Sequence, residues 1–418
     1  MDDSGNGSSR YTQFSHFSRA QLSLERIIEQ IRDRSLNQNE SQNMSPSRGN
    51  ATTSGKPRLL LMGMRRSGKS SISSVVFRKM PPHETLFLES TARLQKNSML
   101  SFMDFQVWDF PGQINYFDRS VDLDAIFGEI GALIWVVDAQ DEYLEAVARL
   151  NNTVLNLHSQ YPHINIEVFI HKVDGLSSDY KQDIQRDIVQ RIQDELSDNG
   201  IEDPNINFHL TSIYDHSIFE AFSKVIQKLI PHLSTLEALL NNLCRSCGFE
   251  KCYLFDVLSK IYVATDSSPM DMLSYEICSD LIDVMVDLAE IYGWARPASY
   301  IEKLEGPPWN KLLQDQVACQ EVEACCVLND GKRPIILREA NQYLALVAVA
   351  REGSYCKLPT IIENINVTVD GLLEVFEITK QAASIPPLTT SLGTGSVGIR
   401  ISTGNRNRNG NGNGNGNG

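Results

Sequence analysis

Apolar positions in this chain follow two rhythms. Between residues 57 and 232, short and nearly continuous apolar runs alternate with longer stretches in which apolar residues recur every three or four positions. The runs Arg58–Gly63, Phe105–Asp109, Gly131–Asp138, Ile164–His171 and Ile206–Thr211 read as buried strands. The stretches Ile72–Met80, Tyr143–Gln160, Tyr180–Asn199 and Ser217–Ile230 read as amphipathic helices, the last closed by Pro231. Strand and helix in alternation predict an α/β block, a mainly parallel sheet with helices on both faces.

Residues 233–383 have a different pattern. A helix over Leu236–Cys247 precedes two short strands, Cys252–Val257 and Ile261–Ala264, and a long amphipathic helix, Leu273–Tyr292. Three strands follow, Glu321–Leu328, Pro334–Glu339 and Gln342–Ala350, with Asn329-Asp330-Gly331 as a hairpin turn, and then a helix over about Ile361–Ala382. Grouped strands with flanking helices predict a small α+β platform, and no catalytic motif lies in it. Residues 1–56, rich in Ser, Asn, Gln and Arg, and residues 384–418, ending in alternating Asn and Gly, are expected to be disordered. Leu24, Ile27, Ile28 and Ile31 fall at helical spacing and read as a transient amphipathic turn rather than a dedicated binding helix.

Composition narrows the function. A formal charge of −14 over 418 residues, with no basic tract, argues against a nucleic-acid partner. No apolar run approaches the roughly 18 residues of a membrane span, and no signal peptide is visible. All eight cysteines lie at or beyond Cys244. A reducing, cytoplasmic setting is therefore expected. With neither a myristoylation glycine nor a prenylation cysteine, action at a membrane is expected to be indirect, through a partner.

The chemistry begins at Gly63-Met64-Arg65-Arg66-Ser67-Gly68-Lys69-Ser70, which fits G-x-x-x-x-G-K-[ST] between a predicted strand and a predicted helix. Gly63 and Gly68 let the backbone wrap a phosphate with its N–H groups inward. Lys69 supplies a positive charge to the β- and γ-phosphates, and the Ser70 hydroxyl is a magnesium ligand. The bland alternative is a glycine-rich turn without a ligand. Asp109-Phe110-Pro111-Gly112-Gln113 has the form D-x-x-G-Q at a strand end, about 40 residues after Ser70. There Asp109 can hold magnesium through water, the Gly112 N–H can approach a γ-phosphate, and Gln113 can orient an attacking water as the catalytic residue. A plain Pro-Gly turn is the other reading, and both can hold at once.

His171-Lys172-Val173-Asp174, at another strand end, stands where guanine-binding proteins carry N-K-x-D. The Asp174 carboxylate can accept hydrogen bonds from N1–H and the exocyclic amine of guanine, a pair adenine does not offer. The Lys172 stem can cover the base. The Thr211-Ser212-Ile213 loop can bring a backbone N–H of Ser212 or Ile213 to guanine O6. Thr85 and Thr91 lie in the segment 83–100; a nucleotide switch needs one threonine there, on magnesium and the γ-phosphate, and spacing favours Thr91. Together these motifs predict GTP or GDP with Mg2+ as cofactors.

The strings MRRSGKSSI, HETLFLEST, WDFPGQ and FIHKVDGL resemble the Rag GTPases of the C/D type, in the Gtr/Rag family of Ras-related small GTP-binding proteins. His171 in place of Asn is typical of that branch. The segment Tyr262–Pro269 resembles the family's roadblock-like domain, and the likeness covers residues 57–383. It implies a Ras-like G domain at 57–232 and a roadblock-like dimerisation domain at 233–383. It further implies a slow GTPase, active as a heterodimer with a Rag of the A/B type. A Ragulator-like scaffold would hold it at the lysosomal or vacuolar surface, with the nucleus as a further compartment. There it would signal amino-acid sufficiency to TOR complex 1 under a GTPase-activating protein. Carried over by position, Gly63, Arg65, Arg66, Ser67, Gly68, Lys69, Ser70 and Ser71 would bind phosphates. Ser70 and Thr91 would bind magnesium, and His171, Lys172 and Asp174 the base.

Other readings compete. A membrane-traffic GTPase of Ras or Arf type shares these motifs but would normally carry a lipid signal and lack a second block. A non-hydrolysing nucleotide-binding scaffold is opposed by Gln113. A P-loop kinase would leave HKVD and TSI without a role. Arg65 and Arg66 suggest an internal arginine finger, with a solvated or partner-facing role as the alternative. Cys244 and Cys247 suggest half a zinc site, but no second C-x-x-C pair exists and both fall on the apolar stripe of a helix, as core cysteines do. Trp108 and Trp135 read as core.

Overall fold

A computed structural model describes residues 58–99, 101–102, 105–112, 123–128, 130–162, 164–202, 204–291, 323–328, 333–341, 343–351 and 358–384. The expected disordered ends, the 24–31 turn and the Asn329–Gly331 turn lie outside these residues. The first sheet has six strands: β1 (Arg58–Gly63), β2 (Gln95–Met99), β3 (Phe105–Asp109), β4 (Ile130–Asp138), β5 (Asn165–His171) and β6 (Ile206–Thr211), in the order β2-β3-β1-β4-β5-β6. All neighbours are parallel except β2, which pairs antiparallel with β3 at the sheet edge. The helices are α1 (Lys69–Arg78), α2 (Leu123–Phe127), α3 (Leu144–His158), α4 (Ser178–Asp198) and α5 (Ser217–Gln227).

Strand periodicity divides the apolar residues between two faces. From β1, Leu59 and Leu61 enter one cluster with Ile72 and Val76 of α1 and Phe222 and Val225 of α5. Leu60 and Met62 enter the other with Leu150 of α3 and Ile184, Ile188 and Ile192 of α4. The α4 stripe repeats every four residues, and Ser177 caps its start by accepting the Tyr180 N–H at 3.4 Å. The expected mainly parallel sheet with helices on both faces is present.

The second sheet is antiparallel, ordered β8-β7-β11-β10-β9: β7 (Phe249–Asp256), β8 (Tyr262–Thr265), β9 (Glu323–Leu328), β10 (Arg333–Glu339) and β11 (Leu344–Ala350). Its helices are α6 (Leu233–Cys247), α7 (Met272–Ile291) and α8 (Leu358–Ser384). α6 stops at Gly248, whose φ of 71° suits the left-handed cap closed by its N–H on the Cys244 carbonyl at 2.9 Å. One face of this sheet, with α6 and α8, continues the cluster that holds α1 and α5. The other, with α7, is an aromatic core of Tyr253, Phe255, Tyr262 and Tyr275. Cys252 and Cys278 are buried, and burial pushes both thiols up; Cys244 and Cys247 are half-buried against the same core, as expected of packing cysteines.

Two elements were not expected. β2 reads QKNSM, with no apolar alternation; it is a strand because β3 offers an unpaired edge, which no local pattern reveals. α2 is one short turn between segments outside the described residues. Trp108 on β3 is buried, and the Lys96 ammonium and Arg58 guanidinium lie 3.9 Å and 4.8 Å from its ring centroid. Trp135 on β4 is buried as expected.

Phe222 is fully buried where the two sheets share a core, ringed by Phe77 at 5.2 Å and Phe169 at 5.3 Å. Phe222→Ala is expected to lower stability by about 3–5 kcal/mol, measured by urea unfolding. A loss below about 1 kcal/mol would show that the shared core does not support the fold as described.

Candidate phosphate-binding site

Four loops meet at the carboxyl ends of β1, β3, β5 and β6, the edge at which parallel sheets place their ligands. Gly63 ends β1 against the Val136 carbonyl of β4. Gly68 caps α1 with φ at 102°, and a Cβ there would stand 2.6 Å from Cδ2 of the His171 ring. Gly112 would place a Cβ 2.3 Å from the Arg65 nitrogen. The P-loop is thus in backbone contact with the β3 loop on one side and with a β5 side chain on the other, and only glycine allows either approach.

Lys69 is 6% exposed. Its ammonium donates to the carbonyls of Met64 at 2.6 Å and Gly63 at 3.1 Å, and lies 3.4 Å from Ser67 Oγ. Burial pulls its pKa down to about 8, opposed by the Asp109 charge. Ser70 Oγ donates to Asp109 Oδ2 at 2.5 Å and lies 2.6 Å from Thr91 Oγ1, which is itself 3.5 Å from that carboxylate oxygen. Asp109 is 1% exposed, and its Oδ1 accepts no hydrogen bond among the described residues. Burial raises the Asp109 pKa, with Ser70, Lys69 and Thr91 opposing. Two hydroxyls and a carboxylate with a spare buried oxygen form a hard-oxygen set, which fits a magnesium ion.

The opposite side of the P-loop meets β5 and β6. His171 is buried, with Nδ1 3.0 Å from Thr211 Oγ1. Burial, with the Lys172 charge adding to it, pulls the His171 pKa down to about 4, so the ring is neutral near pH 7. Lys172, with φ at 63°, donates to the Arg66 carbonyl at 2.9 Å and forms an ion pair with Asp138 at the end of β4. Asp174 is exposed; its Oδ1 accepts from Ser212 Oγ at 2.7 Å, and no described residue engages Oδ2. The Ser212 N–H is spent on Ser217 Oγ at 2.9 Å, which leaves the Ile213 N–H as the donor of that loop.

Thr91 is therefore brought to Ser70 and Asp109, whereas Thr85 is not. The Thr85 hydroxyl donates to the Pro82 carbonyl at 2.7 Å within a 3-10 turn, Pro82–Phe87. Arg65 reaches outward to Ser90 Oγ at 3.4 Å, Arg66 sits exposed at a left-handed corner, and Ser71 is half-buried on α1. Gln113 lies outside the described residues. Asp138, Gln140 and Ser217 were missed by the motif reading. Gln140 Nε2 donates to the Lys172 carbonyl at 2.7 Å, so with Asp138 it orients the lysine from both ends. The signal available for Asp138 was its place at the end of an apolar run, level with the other three loops.

Comparison with known proteins agrees with this geometry. The family model "Gtr1/RagA G protein conserved region" matches residues 58–282. The chain is 55% identical over 322 residues to "GTP-binding protein gtr2" of Schizosaccharomyces pombe, covering 77% of this chain and 98% of that protein. It is 52% identical over 327 residues to "Ras-related GTP-binding protein C" of Homo sapiens, covering 78% of each. A more distant relative, "GTP-binding protein GTR1" of Saccharomyces cerevisiae, is 26% identical over 243 residues, covering 56% of this chain and 77% of that one.

The neutral His171 makes a pH prediction. A histidine titrates near 6.5 in the unfolded chain and near 4 here, so the unfolded state holds more protons between those values. The contribution is complete above about pH 6.5 and is lost as pH falls toward 4. Between pH 7 and pH 4, His171→Asn should lose about 2–3 kcal/mol less stability than the parent in urea titrations. Equal losses would mean that the ring is not held neutral.

Proposed function

This chain belongs to the Gtr/Rag family of G proteins, on the side of its C- and D-type members, and from that premise we propose that it is a GTP-binding switch that hydrolyses GTP slowly. The observation that carries this reading is the Ser70–Thr91–Asp109 cluster. It joins the P-loop, the segment before β2 and the end of β3 at one point, with a buried carboxylate oxygen left over. A threonine held there only while a γ-phosphate and metal are present is the sensor such a switch needs. Ser70, Thr91 and Asp109 would hold Mg2+, Asp109 through water. The ion, when bound, would neutralise charge on the β- and γ-phosphates.

The remaining roles follow from position. The N–H groups of residues 63–71 would hold the phosphates, and the Lys69 ammonium, now on loop carbonyls, would supply them a positive charge. Ser212 holds Asp174 Oδ1, so that its second oxygen would accept from guanine, and the Ile213 N–H would serve O6. His171 supports Gly68 from below. Gln113, directly after the packed Gly112, orients the attacking water. Hydrolysis is slow because positioning and one glutamine give little rate until a GTPase-activating protein completes the site.

We further infer a heterodimer with an A/B-type Rag, the class to which the more distant relatives belong. Leu273, Val284, Leu288 and Ile291 lie exposed along α7, and edge strand β9 exposes Cys325, Cys326 and Val327. A helix stripe beside an open strand edge suits a second platform of the same kind. No described helix is long and apolar enough to cross a membrane. Placement at the lysosomal or vacuolar surface by a Ragulator-like scaffold, and signalling to TOR complex 1, are proposed on family grounds.

Two outcomes test this. Asp174→Asn should cost two hydrogen bonds to guanine, about 1.5–3 kcal/mol each, so GTP affinity falls roughly 10²- to 10⁴-fold while xanthosine triphosphate gains. Unchanged GTP selectivity in a fluorescent-nucleotide competition would remove Asp174 from the base pocket. Val284→Asp with Leu288→Asp should abolish co-purification with an A/B-type Rag but leave GTP affinity within about twofold. Intact co-purification would move the interface elsewhere.

A further inference from the structure

The β2–β3 hairpin touches the phosphate site at one end and the second sheet at the other. At the first end, β2 starts four residues after Thr91 and β3 ends at Asp109, with Gln95 paired to Asp109 and Met99 to Phe105. Five paired positions span four steps of about 3.4 Å, which sets the two ends about 14 Å apart. At the far end, Ser101 Oγ donates to Asp256 Oδ1 at 2.8 Å. The Phe102 ring lies 5.8 Å from Phe376 of α8.

Asp256 is 1% exposed, at the end of β7. Its Oδ2 is fully used by its own turn, accepting from the Ser259 N–H at 3.0 Å and the Ser259 hydroxyl at 2.5 Å. A turn needs no more than that. The Oδ1 contact is made by a residue 155 positions away in sequence. Among the described residues, α5 also joins elements of the second sheet. Ser223 Oγ of α5 accepts the Tyr262 backbone N–H at 3.0 Å, and α5 packs across both cores through Phe219. β2, by contrast, is bonded to the sheet along β3 only.

We propose that the hairpin is the transmission element of this switch: exchange of a nucleoside triphosphate for a diphosphate, felt at Thr91 and Asp109, is carried to β7 and α8 through Ser101, Phe102, Asp256 and Phe376. The proposal rests on the reading of Thr91 and Asp109 given above. Linkage makes the coupling reciprocal, so releasing the far end changes the GTP-to-GDP preference of a site it never touches.

The test is hydrogen–deuterium exchange on the full chain with Mg2+, comparing GDP with a non-hydrolysable GTP analogue. In the parent, peptides covering 249–256 and 358–384 should change protection between the two nucleotides. In Ser101→Ala/Phe102→Ala that difference should vanish, while the difference at 63–70 persists. The GTP-to-GDP affinity ratio should shift by about fivefold or more. Ser101→Ala alone, which removes one hydroxyl, should give a partial effect if the double variant folds poorly, and Ser101→Thr should restore transmission. A parent without any change beyond residue 232, or variants that transmit it undiminished, would overturn the proposal. Thr91→Ala separates the two readings. If it leaves the affinity ratio unmoved, the sensor assignment has failed; if it moves the ratio and the clasp variants do not, only the hairpin proposal has failed.

Discussion

The constraint on which the site depends is the burial of opposite charges within one loop's width. Lys69 and Asp109 are both almost wholly enclosed, and for each the loss of water is the largest influence on its titration. Such charges are tolerated only with partners. Lys69 finds them in the carbonyls of its own loop, and Asp109 finds two hydroxyls but leaves one oxygen unsatisfied. The fold thus holds a positive and a negative group poised over a cradle of N–H donors. A phosphate with a metal ion would satisfy both at once, and occupancy would then be part of the site's stability.

Much of this was legible in the sequence because loops at strand ends advertise themselves. The P-loop, D-x-x-G and HKVD each follow an apolar run, and parallel strands must bring those ends to one edge. The residues that escaped lack such a flag. β2 is polar up to its last residue, Met99, and exists by pairing, so the strand that begins four residues after Thr91 was invisible. Spacing already favoured Thr91 over Thr85, and the 3-10 turn that takes the Thr85 hydroxyl away supplies the reason. Asp138 and Gln140 act only through Lys172, and a lysine's partners are a fact of three dimensions. Substitution of His for Asn at 171 is likewise explained by space: the ring fills the gap beneath Gly68 and bonds to Thr211.

The two sheets differ in what they bring. The first supplies loops at one edge and is sealed on both faces by helices. The second shows no metal-binding cluster among its described residues but offers an exposed helix stripe and a strand edge. Continuity of the apolar core from α1 and α5 through α6 and α8 means that neither layer is finished without the other. A nucleotide-dependent adjustment in the first sheet therefore meets packed side chains rather than a slack linker.

Trp108 stands one residue before Asp109, with its indole between the Lys96 ammonium of β2 and the Arg58 guanidinium of β1. Two positive charges on a π-face shift the energy of the excited indole, and one of them rides on the strand that follows Thr91. Trp108 is therefore placed as an optical gauge of the spacing between β2 and its neighbours, read once the emission of the other three tryptophans is subtracted.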